Sequence, residues 1–174
     1  MFDEVDTDGP DKLEYPLNES KELVRKYKIF SAIQHVLLVH QGPIVEFTLD
    51  MQANYTCTEI DLIIRYLSKN KTVKKFALEL NDPRNDFYRL PLSFFSLNQL
   101  ADLTLQVCEL EFDPRSSGFS SLTSLSMTCV KTSMKTVLHL LSSCPLLKSL
   151  NLILFIEDLD GSGLQVDMIE LFKC

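Results

Sequence analysis

The sequence predicts an α/β solenoid, with about five parallel strands on a concave face and helices or loops on the convex face. Three observations carry that expectation. Leu100 to Leu110 fits L-x-x-L-x-L-x-x-[NC]-x-L at every specified position, with Cys108 at the Asn/Cys place. Leu122-Thr123-Ser124-Leu125-Ser126-Met127 and Leu147-Lys148-Ser149-Leu150-Asn151-Leu152 repeat the pattern, with Val130 and Phe155 at that place. The central strand residues Phe47, Phe76, Leu103, Leu125 and Leu150 are 29, 27, 22 and 25 residues apart, within or near the leucine-rich-repeat period of about 20–29.

The physical reason is burial. Each unit places two leucines on one side of a strand and a third one short turn earlier, and no unit can bury them alone. Stacked neighbours share one continuous core, and each leucine so buried contributes about 1.5–3 kcal/mol.

Residues 1–20 read as an acidic, flexible lead-in containing Gly9, Pro10 and Pro16. Residues 21–156 read as a helix plus repeats, and 157–174 as a C-terminal tail of no assigned structure. From Ser20 the spacing of Leu23, Tyr27, Phe30, Ile33 and Leu37 predicts one helical face, ended by Gly42-Pro43. Val45, Phe47 and Leu49 then alternate with Glu46 and Thr48, as a half-buried strand does. Thr58 and Asp61 suit a variant capping box ahead of a helix with Ile60, Ile63, Ile64 and Leu67 inward. A strand follows over Val73 to Leu80. Met134, Val137, Leu138 and Leu141 mark a further helix between the last two repeats. The dense apolar run from Leu150 to Ile156, as the last strand, is expected to leave an exposed edge. Phe94, Phe95, Phe112 and Phe119 are expected to fill the core from the convex side and connecting loops.

Composition narrows the function. At 174 residues, 45% apolar and 24% charged, the chain suits a soluble domain. It has no apolar run of membrane-spanning length and no secretory leader pattern. A cytoplasmic or nuclear location is therefore expected, and the three N-x-S/T sequons at Asn18, Asn54 and Asn70 then read as chance matches. The net charge is −7, and residues 1–20, with seven acids against one base, hold six of those charges. No basic stripe exists to neutralise phosphates, so nucleic acid is not an expected partner. Five cysteines without a CxxC pair argue for reduced thiols rather than a disulfide or zinc framework.

No catalytic or cofactor motif stands out, and the expectation is a non-enzyme with no metal or cofactor. Asp6-Thr7-Asp8-Gly9 has the look of a calcium loop, but its twelfth position is Tyr15 rather than an acid. His35 and His40 are five apart, so they do not share a helical face, and His139 is remote. Cys108 suits a buried structural thiol with no basic neighbour to activate it.

The residues between the leucines face the other way. Lys75, Glu79, Asp102, Thr104, Gln106, Ser124, Ser126, Thr128, Ser149 and Asn151, with Ala77 and Ile153, are expected to line the concave sheet. They suit either a solvated sheet face or a recognition surface for a protein segment.

Four segments in order resemble the plant F-box/FBD/leucine-rich-repeat family. They are Val39-His40-Gln41-Gly42-Pro43-Ile44, Leu90-Pro91-Leu92-Ser93-Phe94-Phe95-Ser96, Gly118-Phe119-Ser120-Ser121-Leu122 and Ser142-Ser143-Cys144-Pro145-Leu146-Leu147. The resemblance covers about residues 23–155. It implies the substrate-recognition repeats of a ubiquitin-ligase adaptor, whose F-box docks on the Skp subunit of a cullin complex. The acidic start, Met1-Phe2-Asp3-Glu4, is similar to the stretch just after an F-box in that family. Asp158 to Cys174 departs from the family's usual continuation, so an FBD is not expected after the repeats. The chain is therefore expected to be a truncated product or an F-box-less relative. It would bind an unidentified protein substrate, and would meet Skp and cullin only through an F-box placed upstream. The alternative is a partnerless or competitively regulatory relic of such a protein.

Overall fold

Five segments carry an apolar residue at every second position, and each forms a strand whose apolar side turns inward. The computed structural model describes residues 15–52, 58–81, 87–111, 119–157 and 164–172. In chain order the elements are α1 (Tyr15–Val39), β1 (Glu46–Gln52), α2 (Thr58–Asn70), β2 (Lys75–Asn81), β3 (Tyr88–Arg89), a 3-10 helix (Leu92–Ser96), β4 (Asp102–Gln106), β5 (Cys108–Glu109), β6 (Ser124–Thr132), α3 (Met134–Ser142), β7 (Ser149–Glu157) and β8 (Leu164–Phe172). They divide into two compact units, Met1–Gln41 and Gly42–Cys174.

In the first unit, α1 begins at Tyr15, ahead of the expected Ser20, and ends at Val39, short of Gly42-Pro43. Residues 1–14, including the calcium-like loop, lie outside the described residues. Phe30 and Leu37 are buried and Ile33 is half-buried, but Tyr27 is 73% exposed. At 3.6 residues per turn Tyr27 stands about a quarter turn from the mean direction of the other three. His35 lies on α1 while His40 comes after its end, and both are exposed.

In the second unit β1, β2, β4, β6 and β7 are successive parallel neighbours, and the sheet curls into half a barrel. Phe47, Phe76, Leu103, Leu125 and Leu150 stand side by side, as their spacing predicts. Leu49, Leu78, Leu105, Met127 and Leu152 form a second inward row. All are buried except Phe47, half-buried on β1.

The backbone repeats as regularly as the side chains. The Val45 carbonyl accepts from the N–H groups of Lys74 and Lys75 at 2.8 and 3.1 Å. The carbonyls of Lys74, Ala101 and Thr123 each accept in the same way from two consecutive N–H groups of the next repeat. One turn earlier, Leu100, Leu122 and Leu147 donate to the carbonyls of Leu97, Phe119 and Cys144. That turn brings the third apolar residue of each repeat under the strands. Phenylalanines fill the space beneath: the rings of Phe76 and Phe94 are 5.5 Å apart edge to face, as are those of Phe94 and Phe119. Phe95 joins the same cluster, whereas Phe112 lies outside the described residues.

The helices sharpen two expectations. Ile60, Ile63, Ile64 and Leu67 are buried on α2 as the spacing predicts. The helix starts at Thr58 itself, however, so Thr58 occupies its first turn rather than the capping position. Asp61 accepts a hydrogen bond from the Tyr88 hydroxyl. On α3 the buried residues are Val137 and Leu140, with Leu141 half-buried and Met134 and Leu138 exposed. Ser133 caps α3, accepting from the Thr136 N–H at 3.1 Å. With that start, Val137, Leu140, Leu141 and Cys144 make the inward stripe, and Leu138 stands about 100° from Val137.

Two corrections concern the strand ends. Val107 and Cys129 both adopt left-handed backbone, with φ of 52° and 53°. In β6 this leaves Cys129 as an extra residue, so that Thr128 pairs with Ile153 and Val130 with Leu154. Leu154, buried, thus takes the place equivalent to Val130, and Phe155 does not. The second correction is the edge of β7. Residues 164–172, in the expected tail, form β8, antiparallel to β7 from the Ser149–Phe172 pair to the Glu157–Leu164 pair. The edge of β7 away from β6 is therefore paired rather than exposed.

Candidate protein-binding face

Because the strands share one register, the residues between the leucines also line up. Three rows cross the open face: Lys75, Asp102, Ser124 and Ser149; then Ala77, Thr104, Ser126 and Asn151; then Glu79, Gln106, Thr128 and Ile153. The structure brings every residue expected on the concave sheet into these rows. All are exposed or half-buried except Ala77, which is 6% exposed. Its methyl group is the shortest side chain in its row, between Thr48 and Thr104.

β1 extends each row by one residue that the expected set omitted: Glu46, Thr48 and Asp50. The alternation of Glu46 and Thr48 with Val45, Phe47 and Leu49 already carried that signal. Lys75 Nζ lies 2.9 Å from Glu46 Oε1. That bond, with the nearby charges of Glu46 and Asp102, holds the ammonium above its ordinary range. Gln106 Nε2 donates to Asn81 Oδ1 at 3.1 Å. Asn151 Nδ2 lies 3.5 Å from Ser126 Oγ, while its buried Oδ1 has no partner.

Past the left-handed residues comes a fourth row, also unforeseen: Arg89, Glu109, Lys131 and Phe155. Each of its two bases lies beside an acid. Arg89 pairs with Glu111, and Lys131 Nζ lies 3.8 Å from Glu109. The Phe87 and Phe155 rings meet edge to face at 5.4 Å, although β5 and β6 lie between β3, which begins just after Phe87, and β7. Three flat strand steps span about 14 Å, so the curl of the sheet and two long side chains close this end of the face. No sequence signal marks it, since neither Val107 nor Cys129 is the glycine that normally announces such backbone.

The thiols fit structural roles. Cys108 is fully buried, and desolvation, reinforced by Glu109, drives its pKa far above the ordinary thiol range. Cys144 is raised by burial as well. A thiol held protonated is a poor nucleophile. Among the described residues no group of three His, Cys, Asp or Glu side chains could hold a metal ion, and no helix is long and apolar enough to cross a membrane.

A family described as "FBD-associated F-box protein At5g56370, LRR repeats" matches residues 60–165. The chain is 35% identical over 125 residues to the F-box/FBD/LRR-repeat protein At1g13570 of Arabidopsis thaliana, covering 71% of this chain and 29% of that relative's length. The chain thus spans less than a third of the relative it matches. No solved structure matches it. The repeat pattern, the shared register and these likenesses together show that the chain belongs to the plant F-box/FBD/leucine-rich-repeat family, as a leucine-rich-repeat region of that family.

Proposed function

We propose that this chain is a non-catalytic recognition module whose open face binds a segment of a protein, as the substrate-recognition repeats of an F-box ubiquitin-ligase adaptor. The observation that carries the reading is the alignment of outward side chains in rows across five strands, four of them within the residues that the family's repeats match. A leucine-rich side that is already buried leaves the outward rows free to vary without disturbing the core, which suits a binding surface. The acids Glu46, Asp50, Glu79 and Asp102 on this face repel phosphate, so the reading favours protein over nucleic acid. Attachment to a Skp–cullin complex would require an F-box ahead of these repeats. A cytoplasmic or nuclear setting fits that role.

Proximity labelling in plant cells tests it, comparing the chain with a variant carrying Asp102→Ala, Gln106→Ala and Ser124→Ala. The triple variant should melt like the parent and lose a defined subset of labelled proteins. An unchanged labelled set from a folded variant would overturn the reading.

A further inference from the structure

The open face is electrically lopsided. The β1, β2 and β4 side carries Glu46, Asp50, Glu79 and Asp102 against the single base Lys75. Of these, Glu46 is bonded to Lys75. In the same three rows β6 and β7 present only Ser124, Ser126, Thr128, Ser149, Asn151 and Ile153, none of them charged. Asp50 and Glu79 are direct cross-strand partners, about 4.8 Å apart along the hydrogen-bonding direction. Like charges placed so oppose folding. Among the described residues neither forms an ion pair with a base. Two neighbouring carboxylates with no basic partner among the described residues leave a place that a partner's cation can fill.

We propose that the β1–β2–β4 side of the open face, centred on Asp50 and Glu79, docks an arginine- or lysine-bearing protein segment. The inference rests on the reading of this face as a protein-binding surface and specifies what it binds. A guanidinium or ammonium group seated between the two carboxylates replaces their repulsion with two charge-assisted hydrogen bonds. Asp102 extends the negative potential along the segment, while the hydroxyls of β6 and β7 accept an uncharged continuation. The lopsided charge thereby fixes the direction in which the segment lies.

The test is a fluorescence-anisotropy titration of the full chain with a labelled peptide of alternating arginine and serine, and with its glutamate-for-arginine counterpart. The acidic residues 1–20 attract a basic peptide too, so the titration is repeated on two variants. One carries Asp50→Asn and Glu79→Gln; the other carries Asp3→Asn, Asp6→Asn and Asp8→Asn. The proposal predicts that the arginine peptide binds and its glutamate counterpart does not. The Asp50/Glu79 variant should bind about tenfold more weakly, and the affinity should fall as salt is added. The same variant should melt at a slightly higher temperature than the parent, since it loses the like-charge pair, which separates lost docking from lost folding. Absence of binding overturns the proposal. So does binding that the Asp50/Glu79 variant keeps, or that the residue 3, 6 and 8 variant abolishes. If the peptide result is negative while the Asp102/Gln106/Ser124 variant still loses its labelled proteins, the face binds protein of another chemistry. In that outcome this inference falls alone.

Discussion

Asp102 and Leu103 are adjacent in sequence and face opposite sides of the same strand, and the two sides obey different rules. On the leucine side the residue type is dictated by position: Phe76, Leu103, Leu125 and Leu150 stand side by side in one buried row that no single repeat could bury alone. On the open side the row of Lys75, Asp102, Ser124 and Ser149 keeps the same alignment with no common chemistry. The periodic side therefore specifies the fold, and the aperiodic side is free to vary without disturbing it.

The sharpest way to break this contrast is to place a charge on each side in turn. Leu103 is fully buried, and Leu103→Asp strands a carboxylate in the shared core, with an expected loss of more than about 4 kcal/mol. The neighbouring Asp102→Asn should change stability by no more than about 0.5 kcal/mol. Chemical denaturation of both variants checks the pair. A cooperative, parent-like transition for Leu103→Asp would mean that the register is wrong.

A smaller effect is expected from Cys108, at the inward end of a repeat. Its thiol pKa in the folded chain lies above the ordinary value of 9.0. Above that pH the unfolded chain releases a proton that the folded chain retains. Stability from this group is thus complete below about pH 9 and falls as pH rises, by at most about 1.4 kcal/mol per pH unit. Cys108→Val, a residue already accommodated at the equivalent Val130, should remove that part of the alkaline loss. Denaturation midpoints at pH 7, 9 and 10 for both proteins measure the difference. Equal alkaline slopes would show that the thiol is accessible.

Much of the architecture was legible because leucine spacing is a direct record of stacking. The alignment of Phe47 through Leu150 and the burial of Ile60, Ile63, Ile64 and Leu67 could be read from periodicity alone. The left-handed turns at Val107 and Cys129 could not, because neither residue signals that backbone. For that reason residue counting puts Phe155, rather than Leu154, at the position equivalent to Val130. Nor did the segment 164–172 announce that it would pair antiparallel with β7, a contact made between strands rather than within a repeat pattern. On the open face, the residues of β2 through β7 were legible as the complement of the leucines. Asp50 and Glu79, each three residues past the aligned Phe47 and Phe76, are paired by the same spacing, although the expected face began only at Lys75.

The most direct measurement is a map of amide chemical-shift changes in the isotope-labelled chain as the arginine–serine peptide is added. Changes concentrated on Asp50, Glu79, Asp102 and their row neighbours, with α2 and the 3-10 helix unmoved, are the predicted result. Changes confined to residues 1–20, or centred on the Thr58, Leu62, Arg65 and Pro91 side of the molecule, would contradict the assignment of recognition to the open face.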